Sequence, residues 1–188
     1  MSAKGLEVPA VIPALRQSED WPLLGVAPRG AWVFLLGGTM DGIAEAAGRL
    51  QKRGWTVFVH FDMVRAVSSD VEGLRFFSGY VGPQGIISTH STTINHAKKL
   101  GLWTIQRIFL LDTQSVQTGI QQVLSTKPDA VEIMPGLLVE IARRVVRDLP
   151  CPVIAGGLVG TREDVEKMRQ VGVKGVSTSA RPLWPLGS

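Results

Sequence analysis

Eight short apolar runs, separated by stretches of helix-like spacing, are the feature that most narrows what this chain can fold into. They lie at Val11–Leu15, Trp32–Leu36, Thr56–Phe61, Gly85–Ser88, Trp103–Ile108, Ala130–Met134, Val153–Ala155 and Gly175–Thr178. Rich in Val and Ile and lacking strict polar alternation, they read as strands covered on both faces, as in a parallel sheet with helical crossovers. The intervening stretches carry helix boundary signals. Asp70 and Thr161 suit N-caps, with Thr161 and Asp164 forming a near capping box. Gly54, Gly101 and Gly172 fall just past helical segments, where a left-handed C-terminal turn favours glycine. Eight strands alternating with about eight helices predict an α/β fold: a compact, single-domain (β/α)8 TIM-type barrel over residues 1–188, its core spanning about 8–184. An open doubly wound sheet is the alternative.

Length sharpens this reading. Eight units in 188 residues leave roughly 23 residues each, against ~30 for a usual βαβ repeat. Loops must be short, and no large lid or second domain is left to enclose a reaction, which suits a sensor better than an enzyme. The composition, 45% hydrophobic and 19% charged, excludes disordered and collagen-like chains. A lone cysteine, Cys151, forms no internal bridge and fits a reducing cytoplasm. No apolar run reaches the ~18 residues of a membrane span, and Met1 to Glu7 lacks a secretory pattern. Net charge of +4 permits contact with nucleic acid or a phosphorylated ligand and requires neither.

In a parallel barrel the functional face lies at the carboxyl ends of the strands. A polar residue near such an end must reach the mouth or a buried partner, because burying it unpaired is costly. Strand one runs into Arg16, strand three ends in His60-Phe61-Asp62, and strand four ends in Ser88-Thr89-His90. Period two sets His60 and Asp62 on one face, and likewise Thr104 and Gln106 of strand five; Arg107 follows, and Glu132 stands within strand six. Any one of these could belong to a structural polar network. Together they describe a mouth suited to a small polyhydroxy or anionic ligand.

The last two strand ends differ in kind. Strand seven leads into Gly156-Gly157-Leu158 and strand eight into Thr178-Ser179-Ala180. Glycines admit a ligand close to the backbone, and amides with Ser and Thr hydroxyls suit phosphate oxygens. Barrels often hold phosphate on these two loops, so Gly156, Gly157, Thr178 and Ser179 are the expected phosphate site.

The seven lysines fall on the N-terminal tail, helices or strand starts, which disfavours a Schiff-base aldolase. Cys151 precedes strand seven, on the wrong face for a nucleophile. His60, Asp62 and Glu132 lack the spacing of a metal motif. Asp62 and Glu132 could work as a general acid/base pair, or simply accept hydrogen bonds from ligand hydroxyls. An isomerase, lyase or phosphodiesterase acting on a small phosphorylated metabolite is therefore the alternative to a binding protein.

These residues also carry a resemblance. Ile12-Pro13-Ala14-Leu15-Arg16, Val57-Phe58-Val59-His60-Phe61-Asp62, Gly82-Pro83-Gln84-Gly85-Ile86-Ile87-Ser88-Thr89, Thr104-Ile105-Gln106-Arg107-Ile108-Phe109-Leu110-Leu111-Asp112 and Lys127-Pro128-Asp129 begin the series. Val131-Glu132-Ile133-Met134-Pro135-Gly136, Pro152-Val153-Ile154-Ala155-Gly156-Gly157-Leu158 and Ser177-Thr178-Ser179-Ala180-Arg181-Pro182-Leu183-Trp184 complete it. In this order they resemble the glycerol-3-phosphate-responsive antiterminators, bacterial regulators of glycerol uptake and catabolism genes. The resemblance implies a cytoplasmic, non-enzymatic barrel that senses glycerol 3-phosphate and acts on a leader mRNA, without catalytic residues, metal or cofactor. Gly156, Gly157, Thr178 and Ser179 would hold the phosphate, with Arg16, His60, Asp62, Ser88, Gln106, Arg107 and Glu132 around the rest of the ligand. The chain departs from the family pattern at His90, Ala180 and Pro182 and in the loop Gly37 to Gly42. No RNA-binding motif is legible: Arg143, Arg144 and Arg147, or Lys98 with Lys99, read first as solvated helix faces. Self-association into a homo-oligomer is left open.

Overall fold

A computed structural model describes residues 6–16 and 18–185. Eight strands, β1 (Val11–Leu15), β2 (Trp32–Leu35), β3 (Thr56–His60), β4 (Gly85–Ser88), β5 (Trp103–Phe109), β6 (Ala130–Met134), β7 (Val153–Gly156) and β8 (Gly175–Thr178), pair in parallel in sequence order. The β1–β8 pairing closes the barrel. Six α-helices pack outside it: α1 (Met40–Lys52), α2 (Val71–Val81), α3 (Ser91–Lys99), α4 (Thr113–Thr126), α5 (Val139–Asp148) and α6 (Arg162–Gln170).

Alternate residues of each strand face inward, and the middle of the barrel is filled by Ile12, Phe34, Phe58, Ile87, Ile105 and Ile154. The Trp32 and Phe58 ring centres lie 4.7 Å apart, and Phe34 meets Phe58 edge-on at 5.8 Å. Phe58 has room because its neighbour across β4 is glycine: a Cβ on Gly85 would fall 2.5 Å from the Phe58 ring and 2.6 Å from the Trp103 carbonyl. Gly85→Ala is therefore expected to cost about 2–3 kcal/mol by overpacking, read as a lower urea midpoint at unchanged slope. At the amino ends of the strands, Leu6 and Val8 pack against the interior cluster and cover that side.

Outside the barrel the apolar contacts divide in two. One cluster joins the outward residues of β1 to β4 to α1 and α2, with Ala97 of α3 and Trp184. The other joins β5 to β8 with α4, α5 and α6. Asp70 caps α2 through Gly73 N, and Thr161 and Asp164 form a full capping box on α6. Gly54, Gly101 and Gly172 take φ values of +89°, +77° and +95°, the left-handed turn that glycine makes cheaply.

The expectation of about eight helices is corrected. Among the described residues a 3₁₀ helix, Ser18–Leu23, stands between β1 and β2, and another, Arg181–Leu183, follows β8. Pro22 sits inside the first, and proline's missing N–H and bulky ring break an α-helical ladder. Strand three also ends at His60, one residue early, because Phe61–Met63 turns into a third 3₁₀ helix. No described helix is long and apolar enough to cross a membrane.

Candidate functional site

At the carboxyl ends of the strands lies a mouth whose floor is an ion pair. Glu132 of β6 is fully buried, and Arg107 of β5, directly across in register, is nearly so. Arg107 Nε donates to Glu132 Oε2 at 2.8 Å, and Ser177 Oγ donates to Glu132 Oε1 at 2.5 Å. Gly156 makes room for this group: a Cβ there would fall 2.4 Å from Glu132 Oε1 and 2.6 Å from Ser177 Oγ. Both carboxylate oxygens thus have a donor, the condition under which a buried charge is tolerable.

Above this floor opens a cavity of about 400 Å³ lined by Ala14, Arg16, Leu36, Met134, the segments 157–160 and 177–180, and the Arg107–Glu132 pair. Arg16 stands at the rim and also borders a second cavity of about 380 Å³ between β1, β2 and α1. The two loops behind the mouth are pinned together. Thr178 Oγ1 donates to Val159 O at 2.6 Å and accepts from Ala180 N at 3.0 Å. Gly157 and Leu158 both have positive φ, +75° and +64°, and Leu158 stands largely in solvent. A non-glycine residue in that conformation is uncommon; Ala66 and Lys127, away from the mouth, share it.

His60 is inward-facing and almost wholly buried, and its Nδ1 has no partner among the described residues. Burial, then the nearby Arg107 charge, push its pKa down to about 4, against the opposing pull of Asp62 and Glu132. The ring is neutral at physiological pH. Asp62, on the 3₁₀ turn after β3, accepts from Ser88 Oγ (2.6 Å), Thr89 N (2.7 Å) and Thr89 Oγ1 (2.8 Å). Burial alone would raise its carboxyl, but these hydrogen bonds outweigh burial and hold it below its ordinary value. Asp62 and Ser88 therefore tie the end of β3 to the end of β4 and do not line the cavity.

Gln106 lies elsewhere. It points out of the barrel with Thr104, fully buried beneath the helices, where it accepts from Thr126 Oγ1 at 2.5 Å and donates to Ser91 Oγ at 3.3 Å. The expected mouth therefore gathers Arg16, Arg107, Glu132, Gly157, Thr178 and Ser179, with Gly156 shaping its floor and His60 beneath. Asp62, Ser88 and Gln106 are engaged outside it. Ser177 and Met134 were not among the residues expected there; the inward parity of β8, set by Gly175, is the signal that places Ser177 in the mouth.

Several chemistries lack their parts. Cys151 lies two residues before β7, and burial pushes its thiol up to about 11, far from a reactive thiolate. No described lysine lines the mouth. Among the described residues no three His, Cys, Asp or Glu side chains are grouped to hold a metal ion, so His60, Asp62 and Glu132 do not form a metal site. On the outer surface, Arg143, Arg144 and Arg147 are interleaved with Glu140 and Asp148. Lys98 Nζ donates to the carbonyls of Thr126 and Lys127 at the end of α4. Both basic groups read as ordinary helix faces.

Closed topology, short loops and a polar mouth confined to one end define a minimal TIM-type barrel. Within that class, the chain belongs to the glycerol-3-phosphate responsive antiterminator family, whose sequence model matches residues 11–184. It is similar to the glycerol uptake operon antiterminator regulatory protein of Listeria monocytogenes, at 29% identity and a TM-score of 0.86 over 93% of this chain and 94% of that one. A glycerol uptake operon antiterminator-related protein of Thermotoga maritima shares 33% identity with a TM-score of 0.81, over 94% and 98% of the two chains. Protein YgcP of Escherichia coli is 29% identical over 155 residues, 82% of this chain and 81% of its own. The phosphoribosylanthranilate isomerase of Pyrococcus furiosus, at 14% identity and a TM-score of 0.63, shares the fold alone.

Proposed function

We propose that this protein is a glycerol-3-phosphate-sensing, RNA-binding antiterminator acting in the cytoplasm on the leader mRNA of glycerol catabolism genes. The observation that carries this is the family match across residues 11–184. The mouth supports it in detail. Phosphate would sit between Gly157 and Ser179 with the Arg16 cation at the rim, the arrangement of small-residue loops and positive charge that suits a dianion. The glycerol hydroxyls would reach the Arg107–Glu132 floor. Gly156 and Thr178 would serve by shaping the two loops, and His60, Asp62, Ser88 and Gln106 by holding the strand ends. A non-enzymatic role is favoured because hydrogen bonds already hold each oxygen of Glu132 and Asp62 and burial makes His60 a weak base, leaving none of the three poised as acid or base.

Glycerol 3-phosphate at about 100 times its Kd is expected to stabilise the fold by about 2.7 kcal/mol, a rise of several degrees in thermal midpoint for a chain of this size. Ser179→Glu, which sets a carboxylate at the phosphate position, removes the shift. Leader RNA should be retained only with the ligand and release as salt is raised. Absence of both a midpoint shift at millimolar ligand and RNA retention at low salt would refute the reading.

A further inference from the structure

The described α-helices all run the same way, so their ends collect on two opposite faces of the barrel. The mouth end is acidic: Asp41, Glu72, Glu140 and Glu163 stand in first turns, and Asp70 and Asp112 are N-caps. The amino end of the strands is basic. Lys52 and Arg53 end α1, Lys99 ends α3, Lys127 caps α4, Arg169 lies in the last turn of α6, and Lys174 precedes β8. All are exposed, and none is in an ion pair among the described residues. The described acids at that end are Glu7, Asp129 and Asp148; Thr104 engages Asp129, and Arg144 and Arg147 engage Asp148. Taken singly, cations near a helix C-terminus answer its dipole and imply nothing more. Gathered on one face with few acids among them, they make a field that attracts polyanions.

Contacts between neighbouring ends make this face continuous. Gln51 Nε2 donates to Gly82 O at 2.7 Å, joining the ends of α1 and α2. Lys98 Nζ donates to Thr126 O at 2.8 Å, joining those of α3 and α4. Inside the ring of helix ends stands Trp103, the first residue of β5. It shares the inward parity of Ile105 and Arg107, and at the strand's start it is 36% exposed. Every base offers a π-face to such an indole, whatever the sequence. We infer that leader RNA binds this amino-end face, with its phosphates on the helix-end cations and an unpaired base stacked on Trp103. The assignment rests on the RNA-binding function proposed above. It sets RNA and effector at opposite ends of the barrel, so the two anions do not compete for the same cations. A second copy fits less well, because like-charged faces repel.

Filter retention of labelled leader transcript by the full chain, with glycerol 3-phosphate present, tests this. Lys99→Glu/Lys127→Glu is expected to weaken binding by about tenfold or more. Lys99→Gln lowers the steepness of log affinity against log salt by about 0.7, the share of one single-stranded phosphate contact. Trp103→Leu, which keeps an apolar side chain, weakens binding by about tenfold and leaves the salt slope unchanged. Each variant keeps the thermal-midpoint shift given by glycerol 3-phosphate, which shows an intact fold and mouth. Arg65→Glu/Arg143→Glu, the same change in net charge placed off this face, leaves RNA affinity within about twofold of the unaltered chain. The inference is overturned, and the antiterminator reading stands, if the unaltered chain retains the transcript and folded Lys99→Glu/Lys127→Glu retains it equally well. That holds also where this variant loses only its hold on vesicles of anionic phospholipid. An unaltered chain that retains no transcript at low salt overturns both.

Discussion

Replacing Arg107 with methionine is expected to lower the unfolding free energy by about 3–5 kcal/mol, the cost of leaving a buried carboxylate without its partner. Glu132 has no exposed surface, and among the described residues its only donors are Arg107 Nε and Ser177 Oγ. Methionine matches the arginine stem in bulk, so the loss reports charge more than volume. The informative comparison is the double variant Arg107→Met/Glu132→Leu. With both charges gone, nothing needs compensation, and the fold should regain most of the lost stability, because buried pairs often contribute little beyond cancelling their own desolvation. With Glu132→Leu as the second single variant, urea denaturation of the four chains gives the coupling energy directly. Both variants should nevertheless fail to respond to glycerol 3-phosphate, since the pair lines the mouth. A single variant that lost less than about 1 kcal/mol would show that Glu132 reaches water.

Acidification provides the second large effect. His60 has a pKa of about 4 in the folded chain against 6.5 in its ordinary state. Between those values the unfolded chain carries the proton and the folded one refuses it, so stability falls as the pH drops from about 6.5 toward 4. Integrated over the window, the loss approaches 3 kcal/mol. Below about 4 both states are protonated and this contribution stops changing. Asp62, whose folded value is depressed, adds its own loss only as pH falls below its ordinary value near 3.8, so the two windows separate. In His60→Gln the slope between pH 4 and 6.5 should flatten markedly in denaturation midpoints taken across that range. An unaltered slope would mean that another group controls the acid limb.

How far the fold could be read in advance follows from how strands and turns encode themselves. β1, β4, β6 and β8 fall at the expected limits, and the other four differ by one residue at the carboxyl end. Runs of Val and Ile bounded by Gly and Pro report a doubly covered strand well. The same continuity hides which face a polar residue takes. Gln106 and Arg107 are adjacent, and only the barrel's inward parity shows that Arg107 enters the mouth while Gln106 turns to Thr126 under α4. Asp62 escaped for a different reason: the alternation that pairs it with His60 holds only while the strand continues, and the backbone leaves it at Phe61. Gly156 was expected for ligand approach, yet the atoms that need its missing side chain belong to Glu132 and Ser177. No local pattern announces a requirement set by a residue 24 positions away.

The split outer core bears on how such a barrel could convert occupancy into a signal. Ala14, Arg16 and Leu36 at the mouth belong to the half built from β1 to β4, while Arg107, Glu132 and the loop after β7 belong to the other half, and the segment after β8 crosses to the first half at Trp184. Each half has its own apolar packing outside the barrel, and the halves meet through the strand ladder, the inner plug and the contact of α3 with β5 and α4. A molecule seated in the mouth bridges the seam. It would act as a clasp, damping the breathing of one half against the other and stiffening surfaces that it never touches.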